Sequence, residues 1–599
     1  MPEEARAVRV AVAGGGIAGL TAALRLSQRG YKVTLYEEKP WLGGNLGSHS
    51  GGNLGLHSGG NLDSHFHPGN DVYHDVYPHM YSNFYVNFWD IVENDLGMRR
   101  DQSARTDFES RDSFKFLSRR DAHYRELKNA TSLDPRTLWS DLFSGVAHSS
   151  PLDMYLYLYS MLDLLAHRFH IRGLLSQSIN GFVRSRPCAT DQVAALHDSI
   201  VMFIWSVHAS GTQASSYQNF YRHTFGNVTP LLWLLKGSLQ EKIIGPLQKK
   251  LSDLGCEIHT QTSVQAVTLD GAGVSGIQLR HTEFEWDKHQ VKLTGTATPA
   301  DPFDYLVLAV PPGALGRLAV SGEQGRRLTD RLPQLSHAAK RLPAEPIAVL
   351  DLYFTRRLKD IPRENVLITD SDCYFSFIDI SQLWPELEGV TALTLASSDY
   401  WALPSDSDRE NAHHMIRELH RYLPDFDPGP EWGKSKDIDW ERSHYQSNKD
   451  DVIFINQVGS WDWRPETHYR AIPNLFFAGD FCRNAIDMAT VEAAVTSGLN
   501  AAVALQQAEP RGEPIKILRP PIYSGGAIRA MKLLMAPSAY AAKSWLTATD
   551  SAARLSSGEP PAKWGTDLVS LMSLPYTYAA DWLETAGSLW EDVFLGGRR

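Results

Sequence analysis

The sequence predicts an α/β fold in which one domain is assembled from separate stretches of the chain, a mixed-sheet and helical domain is interleaved with it, and a helical extension follows. Three observations predict this arrangement. A strand, a glycine-rich turn, a helix and a second strand open the chain over residues 8–37. Strand-like apolar segments recur at residues 304–310 and 473–480. This pattern stops after residue 508, where prolines punctuate a linker.

The composition is that of a globular protein and excludes several functional classes. With 599 residues, 43% of them hydrophobic and 21% charged, the chain is long enough for at least two domains and a large buried site. The net charge of −11, without any Lys/Arg block, argues against a nucleic-acid partner. The four cysteines lie far apart without a CxxC pair, which predicts a reducing, cytoplasmic location. We expect neither an export signal before the first strand nor a membrane-spanning run.

The N-terminal glycines have the spacing of a dinucleotide-binding turn. The β-branched, apolar run at residues 8–13 predicts a buried parallel strand, and Gly14, Gly16 and Gly19 follow it as GxGxxG. The first glycine permits the tight turn, the second lets the backbone reach a pyrophosphate, and the third allows close helix–strand packing. Ile17 and Ala18 then begin a helix whose N-terminal amides face the phosphates. These features predict a Rossmann-type unit.

An acidic residue closes the second strand where ribose recognition requires one. Residues 31–36 form the predicted strand, and Glu37 ends it 18 residues after Gly19. A carboxylate at this place can accept hydrogen bonds from both ribose hydroxyls. The adjacent Glu38 is the other candidate for this role. The motif by itself does not choose between NAD and FAD.

The next turn carries a resemblance to a known family. Leu42, Gly43 and Gly44 follow the acid, and here the sequence resembles the flavin-dependent amine oxidase and phytoene desaturase superfamily, whose members continue into a Gly-Gly turn beside the flavin. The resemblance implies FAD as the cofactor, held by a glutathione-reductase-like FAD-binding domain. Asn45 stands where many amine oxidases place arginine, so no arginine-based role carries over.

Further matches to this superfamily recur over most of residues 8–505. Val264 lies in a segment that resembles the return of the chain to the nucleotide domain, where its backbone would meet the adenine. Ala309 lies near the end of the strand at residues 304–310, which resembles the one that precedes a proline-rich exit. Both residues are therefore expected beside FAD.

The third return of the chain is the most specific match. Gly479 and Asp480 close the strand at residues 473–480, and in the family this aspartate meets ribityl or pyrophosphate oxygens. A helix follows from near Thr490, and the resemblance implies that its N-terminal dipole points at the flavin. Ala489 and Val491 flank Thr490 and join the expected FAD contacts.

Three tandem octapeptides, rich in glycine and histidine, form an insertion at residues 43–66. Duplication alone explains the regular spacing of their histidines, and this spacing fits no metal-site geometry. We therefore predict no metal site. After the repeats, residues 75–79 resemble the Asp-x-Gly-x-His segment of the desaturases. This resemblance places Pro78, His79 and Met80 along the flavin.

His79 and Tyr81 are the candidate catalytic residues. The resemblance brings this stretch along the flavin face, and an imidazole can donate or accept a proton near neutral pH. A hydrogen-bonded packing role for His79 agrees with the sequence equally well. Flavin chemistry needs few protein acids, since the cofactor itself accepts hydride.

The central region of the chain favours a hydrophobic substrate. Stretches such as residues 154–159 and 201–205 are aromatic and aliphatic, as expected of a helix core or of an apolar tunnel over the flavin. Tyr217, Tyr221 and His223 are polar residues that could guide a substrate. By approximate alignment Val349 replaces the flavin-proximal lysine of many amine oxidases, which favours the desaturase-like branch.

The leading hypothesis is FAD-dependent dehydrogenation, or redox-neutral isomerisation, of a carbon–carbon unit in a lipid-like or isoprenoid substrate. Two other hypotheses stay open: a flavin amine oxidase that yields imine, aldehyde and hydrogen peroxide, and a non-enzymatic flavin-holding scaffold. The predicted organisation comprises a first FAD-binding segment (1–100), a helical substrate lobe (101–235), a second FAD-binding segment (236–320), a substrate domain (321–455), a third FAD-binding segment (456–508) and the C-terminal helical extension (509–599).

The C-terminal extension contains amphipathic segments at residues 528–534 and 582–594, accompanied by several tryptophans. Such helices cover a protein core, lie on a membrane interface or join two copies of a chain, and the sequence leaves these roles open. Few Lys and Arg residues accompany them, which gives little support to binding of anionic lipid.

Overall fold

The structure is a computed structural model. It describes residues 6–44, 48–50, 73–75, 79–100, 106–121, 123–128, 134–167, 171–225, 230–285, 290–447, 453–558 and 561–594. Asn45, Pro78 and most of the octapeptide insertion lie outside the described residues. The elements that follow are given in chain order.

Strands of the described residues contribute to three larger sheets and three two-stranded ones. The strands are β1 (Arg9–Ala13), β2 (Lys32–Tyr36), β3 (Ser48–Ser50), β4 (Tyr73–Asp75), β5 (Phe108–Arg111), β6 (Phe114–Leu117), β7 (Arg125–Leu127), β8 (Leu232–Leu235), β9 (Glu257–His259), β10 (Thr262–Leu269), β11 (Val274–Glu285), β12 (Gln290–Pro299), β13 (Tyr305–Leu308), β14 (Ala344–Glu345), β15 (Ala348–Tyr353), β16 (Val366–Ile368), β17 (Phe375–Asp379), β18 (Ala392–Ser397), β19 (His444–Ser447), β20 (Ile453–Phe454) and β21 (Leu475–Phe477).

Helices cover the sheets and form most of the segment between β7 and β8. The helices are α1 (Ile17–Ser27), α2 (Val86–Asp90), α3 (Pro135–Leu142), α4 (Pro151–Ala166), α5 (Ile171–Leu175), α6 (Ile179–Ser185), α7 (Asp191–Trp205), α8 (Ala214–Thr224), α9 (Gly245–Asp253), α10 (Pro312–Val320), α11 (Gly322–Arg331), α12 (Ala338–Arg341), α13 (Asp408–His420), α14 (Val491–Ala508), α15 (Gly525–Ser556) and α16 (Pro561–Phe594).

The first sheet is parallel and five-stranded, in the order β21–β13–β1–β2–β9. Its central strand β1 carries the fully buried Val10 and Val12, as expected of a strand covered on both faces. Helices α1 and α14 pack so closely that a Cβ on Gly498 would lie 2.3 Å from the Ala18 carbonyl oxygen. The strands predicted near residues 8, 31, 304 and 473 are present as β1, β2, β13 and β21.

A seven-stranded mixed sheet, β19–β15–β18–β17–β16–β6–β7, forms the second layer of the molecule. Its pairs are antiparallel except for β16 with β6. Leu350 and Leu352 on one face pack against Met415 of α13. Tyr353 and Ile378 belong to the core on the opposite side, together with Leu234 of β8. Strands β5 to β8 come from residues 101–235, so this segment supplies strands as well as the predicted helices.

The C-terminal extension is an antiparallel helical hairpin, α15 and α16, that packs on α4 of the helical lobe. Lys532 on α15 contacts Asp163 of α4 at 2.8 Å and Asp581 of α16 at 2.6 Å. Tyr155 of α4 hydrogen-bonds to the Ser538 hydroxyl at 2.6 Å. Within the described ranges, no helix has the length and hydropathy to cross a membrane.

Candidate functional site

The glycine-rich turn between β1 and α1 is closed by backbone contacts that exclude side chains. Gly14 has φ +105°, and a Cβ there would lie 2.3 Å from the Ala309 carbonyl oxygen. A Cβ on Gly19 would lie 2.0 Å from the Gly14 carbonyl oxygen. Among the described residues, an added Cβ on Gly16 would have only the Gly44 Cα as a neighbour, at 4.0 Å. The first and third glycines thus serve packing, whereas the second leaves open space for a ligand at the start of α1, where Ile17 and Ala18 lie.

Glu37 places its carboxylate directly over this turn. Its Oε2 accepts a hydrogen bond from the Gly15 amide at 2.7 Å, and its Oε1 accepts one from the Lys39 amide at 2.9 Å. Burial raises the pKa of Glu37 to about 6, although both amides oppose the rise. Glu38 points elsewhere, because its carboxylate accepts a hydrogen bond from the Ser263 hydroxyl at 3.1 Å. Glu37 is therefore the acid that faces the glycines.

A second glycine turn lies against the first. The Gly43 amide donates to the Gly15 carbonyl at 2.9 Å, and Gly43 also forms a parallel bridge with Gly16. Gly44 has φ +57°, and a Cβ there would lie 3.1 Å from the Gly16 Cα. The two turns together form a narrow backbone-lined cradle, and side chains larger than hydrogen would fill it.

Two later segments of the chain lie against this cradle. The Thr262 amide at the start of β10 donates to the Glu37 carbonyl at 2.8 Å, and Val264 follows two residues later on the same strand. The Ala309 amide donates to the Ala13 carbonyl at 2.7 Å, at the mouth of the glycine turn. The roles of Val264 and Ala309 toward a cofactor stay predictions.

The third return closes the site with a glycine, an acid and a helix N-terminus. The Gly479 amide donates to the Ser497 hydroxyl of α14 at 3.1 Å. Burial raises the pKa of Asp480 to about 6, with backbone amides and Arg464 opposing the rise. Thr490 is the N-cap of α14, and its hydroxyl accepts the Ala493 amide at 3.2 Å. The helix therefore begins at Val491, two residues after Ala489, which agrees with the start near Thr490 that the sequence predicts.

A buried polar network beneath this loop was missed by sequence reasoning. Arg464 is fully buried; its Nε donates to the Phe481 carbonyl at 2.8 Å and its Nη1 contacts Asp487. Asp487 has φ +53° and also contacts Gln213 of the helical lobe and Asn456. Burial raises the pKa of Asp487, and the Arg464 guanidinium opposes that rise. Arg464 precedes Pro465, but nothing in the local sequence indicates its distant partners.

A second buried acid joins the start of α14 to α2. Glu492 accepts hydrogen bonds from the Asn87 amide at 3.0 Å and the Phe88 amide at 2.9 Å. Burial raises the pKa of Glu492 to about 7 against the effect of these donors. The carboxylate accepts hydrogen bonds from amides that have no partner within α2, and it thereby holds the start of α2 against α14.

The structure places His79 and Tyr81 at one wall of a cleft, whereas Met80 between them does not line it. The His79 and Tyr81 rings stack at a centroid distance of 6.2 Å, and Tyr81 stacks on Phe88 at 4.7 Å. Tyr81 is fully buried and exchanges backbone hydrogen bonds with Trp233, so it also has a packing role. The Asn365 amide lies 3.0 Å from the Met80 sulfur. The catalytic roles of His79 and Tyr81 stay predictions.

This cleft lies between β8 and the seven-stranded sheet and is partly open to solvent. The Thr394 hydroxyl on its wall donates to the Asp351 carboxylate at 2.6 Å. Most of the remaining lining is apolar. The lining residues are His79, Tyr81, Leu234, Leu235, Gly237, Leu239, Asp351, Ile378, Ile380, Leu383, Trp384 and Thr394.

The aromatic stretches of the helical lobe pack within the lobe. Residues 154–159 and 201–205 lie on α4 and α7 and belong to its hydrophobic core. The Tyr217 and Tyr221 hydroxyls are 2.8 Å apart, and Tyr217 also contacts His197 at 2.7 Å. His223 stacks on Phe84 at 5.4 Å. Of the described residues, those that line the cleft come from the sheet side and not from these stretches.

Metal chemistry finds no support among the described residues, where no group of three or more His, Cys, Asp or Glu side chains could hold an ion. The cradle, in contrast, fits a dinucleotide, because its glycines leave room only where a pyrophosphate would lie and its acid is placed for a ribose.

Comparison of the sequence with known protein families agrees with a dinucleotide site. The profile of the flavin containing amine oxidoreductase family matches residues 17–506. The chain belongs to this family.

As a member of this family the protein is an FAD-dependent oxidoreductase. Its fold is shared with putrescine oxidase (TM-score 0.53, 15% identity, 84% of this chain and 99% of that chain). Cyclohexylamine oxidase from Brevibacterium oxydans IH-35A is similar as well (TM-score 0.52, 14% identity, 84% and 100%). At these identities the likeness shows the fold and leaves the substrate open.

Curated relatives match over short stretches. A carotenoid phi-ring synthase of Streptomyces griseus is 65% identical over 37 residues, which are 6% of this chain and 7% of that protein. A probable zeta-carotene desaturase of Synechococcus elongatus is 46% identical over 41 residues, 7% of this chain and 8% of that protein. The matched stretches thus span less than a tenth of the relatives' length.

Proposed function

We propose that this enzyme dehydrogenates or isomerises a carbon–carbon unit of a hydrophobic, isoprenoid-like substrate. The observation that carries the proposal is the lining of the cleft, in which leucine, isoleucine and tryptophan side chains outnumber polar groups. An apolar lining of this kind suits the reacting portion of a hydrophobic ligand. The curated relatives that match over short stretches are named a carotenoid phi-ring synthase and a probable zeta-carotene desaturase, and these names point to the same substrate class.

In this proposal FAD lies in the backbone-lined cradle. The bound flavin supplies a two-electron acceptor, so that removal of two hydrogens from adjacent carbons leaves a carbon–carbon double bond. The start of α14 directs a partial positive charge at the flavin, which stabilises negative charge there. The residues proposed to hold FAD are Gly14, Gly16, Ile17, Ala18, Gly19, Glu37, Glu38, Gly43, Gly44, Asn45, Pro78, His79, Met80, Val264, Ala309, Gly479, Asp480, Ala489, Thr490 and Val491.

The protein's own contribution is to orient the substrate and exclude water. Leu234, Ile378 and Trp384 are buried and would press on a hydrocarbon chain from both sides of the cleft. Val349, two residues before Asp351 on β15, is 1% exposed and provides no amino group. His79 is the group placed to move a proton if isomerisation requires one.

Amine oxidation is the second candidate, and one observation favours it. Asp351 puts a buried carboxylate into the cleft, and a carboxylate pairs with an ammonium group. The solved structures of putrescine oxidase and cyclohexylamine oxidase share the fold.

Product analysis separates the two candidates. Enzyme is incubated anaerobically with a linear isoprenoid polyene in detergent and, separately, with primary amines. We expect a polyene that has lost two hydrogens, or an isomer of unchanged mass. Asp351→Asn serves as the matched variant, because it should leave polyene turnover intact. Aldehyde from amines as the only product, abolished by Asp351→Asn, would establish amine oxidation instead.

A further inference from the structure

Large exposed hydrophobic side chains are concentrated on the C-terminal hairpin, and above all on α16. Met572 and Tyr576 are 76% and 81% exposed. Contiguous exposed apolar surface of this kind marks a binding site on a soluble protein. The exposed large residues of α16 are Leu568, Val569, Met572, Tyr576, Trp582, Leu583, Trp590 and Val593.

Six of these eight residues follow the spacing of a helix-pairing seam, and Leu568 and Trp582 flank it. Counting from Val569, apolar residues recur at alternating steps of three and four, which is the heptad pattern. The seam consists of Val569, Met572, Tyr576, Ala579, Leu583, Ala586, Trp590 and Val593. The opposite stripe, with Leu574, Asp581 and Thr585, is buried. The hairpin therefore holds α16 in a fixed rotation that turns the seam outward.

The charges around the seam favour a protein over a lipid surface. Helices that lie on anionic membranes carry Lys and Arg beside their apolar face. Here Arg529 donates to Asp592 at 2.7 Å, Lys532 contacts Asp163 and Asp581, and Arg554 contacts Asp567 at 3.0 Å. The acidic Glu584 is exposed beside the seam. These three cations of α15 thus neutralise carboxylates of the protein itself, and Lys543 donates to the Ala189 carbonyl at 2.6 Å.

The seam is complementary to itself when reversed. From these observations we infer that two copies of this chain pair through α16 in antiparallel orientation, about a two-fold axis level with residue 581. This register faces Tyr576 with Ala586 of the second copy, and Leu583 with Ala579. Each of these layers sets a large side chain against a small one, as close packing requires. The outer layers face Met572 with Trp590 and Val569 with Val593.

The size of the surface suits a stable dimer. Standard interfaces bury roughly 800 Å² per partner. Large side chains with such exposures contribute on the order of 100 Å² each. The six of them on the seam reach that area only together with the flanking Leu568 and Trp582. The two central layers also lie C-terminal to Pro575, the residue that interrupts backbone hydrogen bonding within α16. They therefore belong to an uninterrupted stretch of helix.

Sedimentation velocity of the FAD-loaded full chain at micromolar concentration tests the inference. We expect a dimer, and a monomer with unchanged flavin absorbance for Leu583→Glu, which places a charge at the centre of the seam. The matched control is Val320→Glu at the exposed end of α10, which should remain dimeric. A monomeric parent protein, or a dimer that survives Leu583→Glu, would overturn the inference.

A volume swap tests the register itself. Tyr576→Ala leaves a gap in its layer and Ala586→Tyr overfills it, so each alone should weaken the dimer by at least tenfold. The double variant restores one large and one small residue per layer and should recover the dimer. Failure of this rescue would contradict the antiparallel register. Binding of the monomer to phosphatidylcholine/phosphatidylglycerol vesicles, lost in Leu583→Glu, would assign the seam to a lipid surface and overturn the inference.

Discussion

The FAD cradle and the substrate-side cleft are built on different principles. In the cradle, backbone atoms approach one another so closely that Gly14 and Gly19 admit no side chain. In the cleft, the wall consists of apolar side chains such as Leu234, Ile378 and Leu383, any of which has substitutes of similar volume. Steric exclusion fixes residue identity, whereas apolar packing fixes only residue class. A sequence therefore reveals the cradle in detail and the cleft only in outline.

The largest effect is expected beneath the cradle, at the buried ion pair. Arg464→Met leaves Asp487 as an uncompensated buried charge, which should lower the free energy of unfolding by about 3–5 kcal/mol. The control is Arg6→Met, which breaks an ion pair whose arginine is 85% exposed and should change stability by less than about 0.5 kcal/mol. Urea unfolding measures both. Equal effects of the two substitutions would show that the network does not support the cradle.

The acid of the cradle should make the apoenzyme less stable as the pH rises. Burial raises the pKa of Glu37 from 4.5 to about 6, so the folded state holds this proton more tightly than the unfolded state. Stability is therefore lost as the pH rises through the window from 4.5 to 6, by about 2 kcal/mol from this group. Urea unfolding at successive pH values measures the loss. Glu37→Gln should flatten the profile by that amount, and an unchanged slope would contradict the assignment.

A substitution on the open side of the cradle should weaken FAD binding without weakening the fold. Gly16 has φ −71°, which alanine adopts freely, and its Cβ would meet only open space. Gly16→Ala should leave the apoenzyme's free energy of unfolding within about 0.5 kcal/mol and yet weaken FAD binding at least about tenfold, or 1.4 kcal/mol. Titration of apoenzyme with FAD tests this. Gly276→Ala, also in open space, is the control and should bind FAD normally.

The cleft should tolerate change where the cradle does not. Ile378→Val removes one methyl group from the wall and should cost about 1 kcal/mol of stability. FAD content, measured by visible absorbance, should remain that of the parent enzyme. Loss of FAD from this variant would mean that the cleft wall and the cradle are one cooperative unit.

Local patterns predicted much of the fold because they have local causes. The glycine spacing, Glu37 and the N-cap Thr490 each satisfy a demand of neighbouring backbone, and the structure has β1, α1 and α14 where these patterns place them. The resemblance to the family supplied the later returns of the chain at Val264 and Gly479.

Long-range contacts were not predictable in the same way. The Arg464–Asp487 pair contacts Gln213, the N-cap of the distant α8, and no periodicity links these positions. The cleft is lined by β8 and the seven-stranded sheet, whereas the sequence drew attention to aromatic stretches that form the core of the helical lobe. The topology of the chain brings these distant side chains together, and no single segment of the sequence indicates that topology.

Anaerobic visible spectroscopy of the FAD-loaded enzyme tests the central claim most directly. Polyenes and amines are added separately, and the oxidised-flavin band is followed. The account predicts that a linear isoprenoid polyene bleaches the band, or is isomerised while the band persists, and that amines leave it unchanged. Bleaching by amines alone, or a purified protein that holds no flavin in its cradle, would contradict the account.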